Sequence, residues 1–153
     1  DWDFLHRLRD RWPHKLVVKG VQAPEDAVRI KAAGADALYV SNHGARQMNA
    51  APPAMTSIAP VRAAIGNEMP LIVDGGVRSG EHVIKAIASG ADFVMIGRSA
   101  MFGLGAAGAA GLADILDSFA REASSVMGLA GKTGIGDIDT SCLAVAHGYS
   151  DGN

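Results

Sequence analysis

Four short apolar runs recur along the chain, and polar or glycine-rich residues follow each of them. The runs are Leu16–Val18, Ala37–Val40, Leu71–Val73 and Phe93–Ile96. Nearly continuous apolar runs of this length are typical of strands that are buried on both faces of a sheet. Segments with helical periodicity separate them, and this alternation predicts a parallel α/β sheet with right-handed crossovers.

Helix start and stop signals predict the connecting helices. The first runs from Pro24 to Gly34, because Pro suits the first turn of a helix and Gly suits its end. The second covers about residues 56–65. The third follows Ser79, the expected N-cap, and ends at Gly90.

An internal repeat supports this interpretation. Residues 25–40 resemble residues 81–96, and the Gly-Ala-Asp triplet at 34–36 aligns with the same triplet at 90–92. One period contains two strand–helix units, so the sheet is expected to repeat one supersecondary unit.

Four such units make half of a (β/α)8 TIM barrel, which normally needs about 250 residues, whereas this chain has 153. The chain begins without Met, and residues 1–12 are expected to be the end of a preceding helix. We therefore expect the C-terminal half of a single barrel domain, with the last four βα units over 16–130 and a tail over 131–153. The competing interpretation is a complete doubly wound sheet, whose chemistry would gather at one switch point.

Composition limits the function without choosing a chemistry. Hydrophobic residues make up 48% of the chain, and the net charge of −2 without a basic run argues against a nucleic-acid partner. The single cysteine, Cys142, provides neither an internal disulfide nor a metal-binding cluster. The uncharged stretch 99–113 is rich in Gly and Ala and too short to span a bilayer, so no membrane-spanning segment is predicted.

Candidate chemistry lies at the ends of all four predicted strands. The most informative segment is Ser-Asn-His-Gly-Ala-Arg-Gln at 41–47. There His43 can accept a proton near neutral pH, and Arg46 can hold a carboxylate through two parallel hydrogen bonds. The other strand ends carry Lys19, Asp-Gly-Gly-Val-Arg at 74–78 and Gly-Arg at 97–98. This arrangement predicts one site, shared by four loops, for a small anionic substrate.

Residues 103–108 match the dinucleotide-binding pattern G-x-G-x-x-G, but their context is wrong. That pattern belongs directly between a strand and its helix, whereas Gly97 and Arg98 already occupy the turn after the strand. We therefore predict no nicotinamide site here. The segment is interpreted as a flexible loop before a last helix over about residues 112–129.

Taken together, Lys19 and the segments 41–47, 74–78 and 97–98 resemble the FMN-dependent α-hydroxy-acid dehydrogenases and oxidases. The resemblance extends over almost the whole chain. Residues 10–16 are most similar to the (S)-mandelate dehydrogenase branch, although glycolate and lactate enzymes share the catalytic loops. The resemblance implies FMN as the cofactor, no metal, and oxidation of a small 2-hydroxy acid to a 2-oxo acid.

The resemblance also implies roles for individual residues. His43 would be the active-site base, and Arg46 would hold the substrate carboxylate next to the cofactor. Lys19 would stabilise the negative charge near N1 of reduced FMN, and Ser41 would hydrogen-bond the isoalloxazine ring. The ribityl and phosphate groups would be held by Asp74, Gly75, Gly76, Val77, Arg78, Gly97 and Arg98.

Two positions depart from the family pattern. Ala45 replaces the second Gly of the usual Gly-Gly-Arg-Gln, and its methyl group would restrict the backbone if the position needs a positive φ. Asn49 stands where an Asp is common, which removes a charge near the site. The family's other site residues, including the aspartate that orients the active-site His, are expected in a preceding half.

A partner chain or segment is therefore expected to supply the N-terminal half-barrel. The resemblance also implies a homo-oligomer, tetrameric in the family, in the cytoplasm or held peripherally at the inner membrane through the missing half. Two hypotheses from other classes stay open. One is a phosphate-binding barrel isomerase or aldolase with Lys19 as a Schiff-base nucleophile. The other is a non-catalytic half-barrel that only binds a partner chain.

Overall fold

The computed structural model describes residues 1–144, and the remainder of the expected tail lies outside the described residues. The strands are β1 (Val17–Val21), β2 (Ala37–Val40), β3 (Leu71–Val73) and β4 (Phe93–Val94). The helices are α1 (Trp2–Arg11), α2 (Pro24–Ala32), α3 (Ala54–Ile65), α4 (Gly80–Ala88) and α5 (Arg98–Leu129). Short 3-10 helices lie at His43–Ala45, Ile135–Asp137 and Thr140–Cys142.

All four strands are parallel and lie in the order β1-β2-β3-β4, so each strand pairs with its neighbour in sequence. With right-handed crossovers, an unbroken sequential order places every connecting helix on the same face. A doubly wound sheet needs a reversal of strand order, and the four described strands contain none. The predicted parallel α/β sheet is confirmed, and its sequential strand order is consistent with part of a TIM barrel.

The predicted helices α2, α3 and α4 form close to their expected bounds. The Ser79 hydroxyl accepts a hydrogen bond from the backbone N–H of His82 at 3.2 Å, which confirms it as the N-cap of α4. α3 begins at Ala54, slightly before the expected start, because Pro53 provides the extended entry into the helix. α4 is therefore capped as predicted, whereas α2 and α3 begin without a side-chain cap.

The core lies between the helices and one face of the sheet. Leu38, Val40, Leu71 and Val73 are fully buried on this face, beneath α3 and its neighbours. The opposite face presents the row Lys19, Tyr39, Ile72 and Phe93, which are paired in register across the four strands. Phe93 remains 59% exposed, so the expectation of burial on both faces holds for one face of this chain only.

The internal repeat corresponds to a repeated hydrogen-bond arrangement at the amino ends of the strands. Asp36 accepts hydrogen bonds from the backbone N–H of Leu16 at 2.9 Å and from Arg9 at 3.0 Å. In the second copy, Asp92 accepts from the backbone N–H of Leu71 at 2.7 Å and from Arg62. Each arginine also donates to the carbonyl of the glycine two residues before its aspartate. The Gly-Ala-Asp triplet thus fastens a helix end to the start of a strand in both copies.

The expected loop over 103–108 is wrong. α5 begins at Arg98, and its helical geometry is interrupted at Ala107 and Gly108. Residues 103 and 111 would lie about 12 Å apart along a straight helix. Instead, a Cβ added to Gly103 would come within 2.6 Å of the Gly111 carbonyl oxygen, so the chain turns back on itself. These glycines allow two helical segments to touch, which accounts for the pattern without a nucleotide.

α5 is long and apolar enough, by length and composition alone, to cross a membrane. The interruption at Ala107 and Gly108 divides it, and its second segment packs against α4. At that crossing a Cβ added to Gly80 would lie 2.3 Å from the Phe119 carbonyl oxygen. α5 is therefore a bent helix packed against a neighbour, and the described residues provide no firm membrane-spanning segment.

Candidate active site

The loops after the four strands line one cleft of about 580 Å³. It collects all the predicted site residues except Ser41, namely Lys19, His43, Arg46, Asp74, Gly75, Gly76, Val77, Arg78, Gly97 and Arg98. Ser41 lies immediately beneath, buried and in contact with Lys19. The structure also adds Gly44, Gln47, Met95 and Met101 to the lining, which were not predicted. Residues far apart in sequence therefore meet at the carboxyl edge of the sheet.

Lys19 is held from two sides at the base of this cleft. Its Nζ donates to Ser41 Oγ at 2.9 Å and lies 3.0 Å from Asp74 Oδ2. Ser41 and Asp74 directly follow β2 and β3, so the parallel register brings both of them to the end of β1. The ammonium group is thereby fixed as a positive charge that points into an otherwise open cleft.

Asp74 is the acceptor at the centre of this cluster. Its Oδ2 also accepts a hydrogen bond from the Tyr39 hydroxyl at 2.9 Å. Burial raises the pKa of Asp74, but hydrogen bonds from Ser41, Lys19 and Tyr39 and the charge of Lys19 outweigh it, so the pKa lies below its usual value. Asp74 is therefore a carboxylate, and its buried Oδ1 has no hydrogen-bond partner within residues 1–144.

His43 stands on a left-handed turn of backbone. Its φ is 54°, and the turn is stabilised by two side chains that precede it. Ser41 Oγ accepts from the backbone N–H of His43 at 3.0 Å, and Asn42 Oδ1 accepts from that of Gly44 at 3.0 Å. The imidazole itself makes no side-chain hydrogen bond within the described residues, so it is directed by the backbone and by contact with Gly20.

Ala45 adopts φ 60°, so the position does require the left-handed region that favours glycine. The methyl group is accommodated without distortion of the turn, since the backbone N–H of Ala45 still donates to the Asn42 carbonyl at 2.9 Å. The departure from Gly at this position therefore costs conformational energy but leaves the 41–47 loop in place.

The lining of the cleft contains two kinds of group that can bind anions. Gly75 and Gly76 both have positive φ, at 102° and 79°, and lead into Val77 at the entry to α4. The Arg46 side chain also lines the cleft, and it forms no ion pair or hydrogen bond among residues 1–144. The cleft thus combines backbone amides, arginines and one fixed ammonium, a set suited to anionic ligands.

Tyr39 is the site residue that sequence reasoning missed. In the sequence it is only one apolar position in the second run. Parallel register places it opposite Lys19, with its hydroxyl on Asp74. The sequence does contain a signal for it. Tyr39 has a polar hydroxyl and lies two residues before Ser41, so both side chains are expected on the same face of the strand.

Comparison with known proteins agrees with this geometry. A family model described as FMN-dependent dehydrogenase matches residues 1–145. The L-lactate dehydrogenase of Pseudomonas syringae pv. syringae (strain B728a) is 39% identical over 145 residues, which are 95% of this chain and 38% of that protein. The L-lactate oxidase of Alicycliphilus denitrificans (strain DSM 14773 / CIP 107495 / K601) is 42% identical over 142 residues, which are 93% of this chain and 39% of that protein.

Two solved structures extend the likeness to three dimensions. The monotopic membrane protein (S)-mandelate dehydrogenase superposes with a TM-score of 0.90 at 38% identity, covering 94% of this chain and 38% of that one. A mandelate oxidase bound to (S)-2-phenylpropionate gives 0.84 at 40% identity, covering 89% and 41%. The chain thus spans about two fifths of these proteins.

The family match, together with the parallel α/β sheet and the cleft at its carboxyl edge, identifies the class of protein as the flavin-dependent oxidoreductases. The chain belongs to the FMN-dependent dehydrogenase family, whose cofactor is FMN. Lactate and mandelate enzymes both occur among the relatives, so the family is shown and the mandelate branch stays a prediction.

Proposed function

We propose that this chain forms the last four βα units of a TIM barrel whose assembled form oxidises a small 2-hydroxy acid to the 2-oxo acid with FMN. One observation carries the proposal: Lys19, His43, Arg46 and Asp74, from three different strand ends, line one cleft. The sequential strand order and the helices on a single face support a barrel segment.

The residues present fit FMN. Asp74 Oδ1 is a buried acceptor without a partner among residues 1–144, and a ribityl hydroxyl is a donor that would satisfy it. The glycines at 75 and 76 expose backbone at the same edge, with Arg78 and Arg98 beside them for the phosphate. Lys19 supplies positive charge for the N1 side of the ring, and Ser41 holds Lys19 in place.

His43 and Arg46 would have different roles toward the substrate. Arg46 would bind the carboxylate in a bidentate manner and thereby orient the 2-hydroxyl group toward His43. His43 would take a proton from the substrate as general base. Bound FMN supplies the acceptor for the two electrons that leave the substrate carbon. The names of the relatives suggest lactate and mandelate as the substrates to test first.

A partner that completes the barrel belongs to this proposal. Val17 on β1 and Phe93 on β4 are 45% and 59% exposed, so both sheet edges present apolar surface. A groove of about 450 Å³ follows the β1 edge and is lined by α1, through Trp2, Phe4, Leu5 and Leu8, and by β1. Such edges favour pairing with further strands. The first four units would cover them, in an assembly that is cytoplasmic or peripheral at a membrane.

A Schiff-base aldolase or isomerase is disfavoured by one observation. Lys19 Nζ is ion-paired to Asp74 at 3.0 Å and donates to Ser41, so the nitrogen is already engaged with two oxygen atoms and is poorly placed to attack a carbonyl carbon. Borohydride reduction with a keto or aldehyde substrate should therefore leave Lys19 unmodified, as read by peptide mass. A trapped adduct at Lys19 would favour the aldolase hypothesis instead.

The decisive experiment uses the FMN-bound protein that contains this chain. L-lactate and (S)-mandelate are mixed with it anaerobically, and flavin bleaching is followed by stopped flow. His43→Ala should slow reduction at least about a hundredfold while FMN stays bound. His6→Ala, an exposed histidine on α1 outside the cleft, is the matched control and should leave reduction unchanged. Fast reduction of the His43→Ala protein would remove His43 from the chemistry.

Assembly has its own test. Residues 1–153 in isolation should self-associate and bind FMN weakly, and should gain affinity when the N-terminal half of a relative is added. Sedimentation and flavin fluorescence titration measure both properties. A stable monomer that binds FMN tightly by itself would contradict the half-barrel proposal.

A further inference from the structure

Tyr39 connects two residues that carry opposite charge in the cleft. Its hydroxyl donates to Asp74 Oδ2 at 2.9 Å, the same oxygen that pairs with Lys19 Nζ at 3.0 Å. Its ring also lies under the ammonium group, with Nζ 4.6 Å from the ring centroid. We propose that Tyr39 is a positioning residue that determines how much of the Lys19 charge acts on the flavin. This inference rests on the proposed function.

The hydrogen bond controls the charge of the carboxylate. Because Tyr39 shares Asp74 Oδ2 with Lys19, it disperses negative charge that would otherwise neutralise the ammonium. A less neutralised ammonium stabilises the negative charge that two-electron reduction leaves near N1 of FMN. Through Lys19, Tyr39 therefore favours the reduced cofactor.

The aromatic ring controls where the ammonium lies. The negative face of a tyrosine ring attracts a cation within about 6 Å of its centroid. Lys19 is thus held by the Tyr39 ring, Ser41 Oγ and Asp74, and its ammonium group keeps one position at the cleft. A fixed charge acts on a bound ligand without the cost of reorganisation.

Tyr39 remains a neutral donor throughout. Burial, together with its hydrogen bond to Asp74, raises the pKa of the Tyr39 hydroxyl above the usual value for tyrosine. The neighbouring positions of the row, Ile72 and Phe93, have no polar atom that could serve in its place. The contact is therefore particular to this residue of the sheet face.

The test compares affinity for oxidised and reduced FMN in the holoenzyme that contains this chain. Tyr39→Phe keeps the ring and removes the hydroxyl, so its affinity for reduced FMN should fall by about threefold to tenfold more than that for oxidised FMN. Tyr39→Leu removes ring and hydroxyl and should widen the difference. Ile72→Leu, in the same row, is the control and should leave the ratio of the affinities for reduced and oxidised FMN unchanged.

Equal changes for both redox states in Tyr39→Phe and Tyr39→Leu would overturn the inference and leave the proposed function intact. Failure of the wild-type protein to bind FMN would overturn both. If Tyr39→Phe does not fold, as judged by circular dichroism, Tyr39→Leu decides by the same ratio. These measurements do not depend on turnover. A merely structural defect would lower the affinity for oxidised and for reduced FMN equally, so it is distinguished from the proposed effect.

Discussion

The imidazole of His43 lies directly against Gly20, in the bulge where β1 ends. A Cβ added to Gly20 would come within 2.6 Å of His43 Cε1, closer than side chains tolerate. Gly20 also has φ 96°, which an L-residue rarely adopts. Gly20 therefore leaves the space that the imidazole of the proposed base occupies. Its contact with the ring limits how far His43 can move in the cleft.

Gly20→Ala should displace His43 and reduce substrate oxidation by about a hundredfold, the scale expected for a shift of about 1 Å in a catalytic group. Stopped-flow reduction measures the rate. Gly66→Ala is the matched control, because Gly66 also has a positive φ of 72° but has nothing within 4 Å of the added methyl group. That variant should lose stability and keep its rate per folded molecule. Equal rate losses in both variants would show that backbone strain, not the His43 contact, is responsible.

Arg46→Lys should lower kcat/KM for the 2-hydroxy acid, because lysine keeps the charge but loses the planar fork that holds a carboxylate. Steady-state kinetics over a substrate series measures the effect. Arg121→Lys on α5 offers the same substitution on an exposed surface away from the cleft and should be neutral. An unchanged kcat/KM in Arg46→Lys would remove Arg46 from carboxylate binding.

The strand ends were predictable because the signals there are local. Apolar runs of three or four residues followed by Lys, Ser, Asp or Gly place chemistry at the carboxyl edge once the sheet is parallel. Ten of the eleven predicted site residues line the cleft, and Ser41 supports it from beneath. The repeat of Gly-Ala-Asp also had a structural cause, the shared fastening through Asp36 and Asp92.

What the sequence could not indicate depends on tertiary contacts. The turn at Ala107 and Gly108 follows from the contact of Gly103 with Gly111, which no local periodicity reveals. The role of Tyr39 depends on register, since a shift of one position would place it on the covered face. The exposure of Phe93 on the open face likewise depends on what packs there, which no single strand reveals.

Ala45→Gly should stabilise the protein by about 1 kcal/mol, because glycine relieves the left-handed strain that alanine carries at φ 60°. Urea unfolding followed by circular dichroism measures the shift. Ala110→Gly, at an exposed position within α5, is the control and should destabilise by about 1 kcal/mol through loss of helix propensity. The strain argument fails if both substitutions destabilise the protein.

The hydrogen bonds that Asp36 accepts predict that the stability of the protein depends on pH. Hydrogen bonds from Lys15, from the backbone N–H of Leu16 and from Arg9 lower the pKa of Asp36 from 3.8 to about 2. A carboxyl group whose pKa is lower in the folded state contributes stability above its unfolded pKa, and this contribution disappears as the pH falls through the folded pKa.

The free energy of unfolding of the wild type should therefore exceed that of Asp36→Asn by a constant amount above pH 3.8, and this difference should decline toward pH 2. Urea unfolding at several pH values measures the difference. Asp10→Asn makes the same substitution on the exposed side of α1, where the carboxylate has no hydrogen-bond or ion-pair partner among residues 1–144, and is the matched control for the substitution itself. A difference for Asp36→Asn that stays constant across this pH window would show that the hydrogen bonds at Asp36 do not depend on its ionisation.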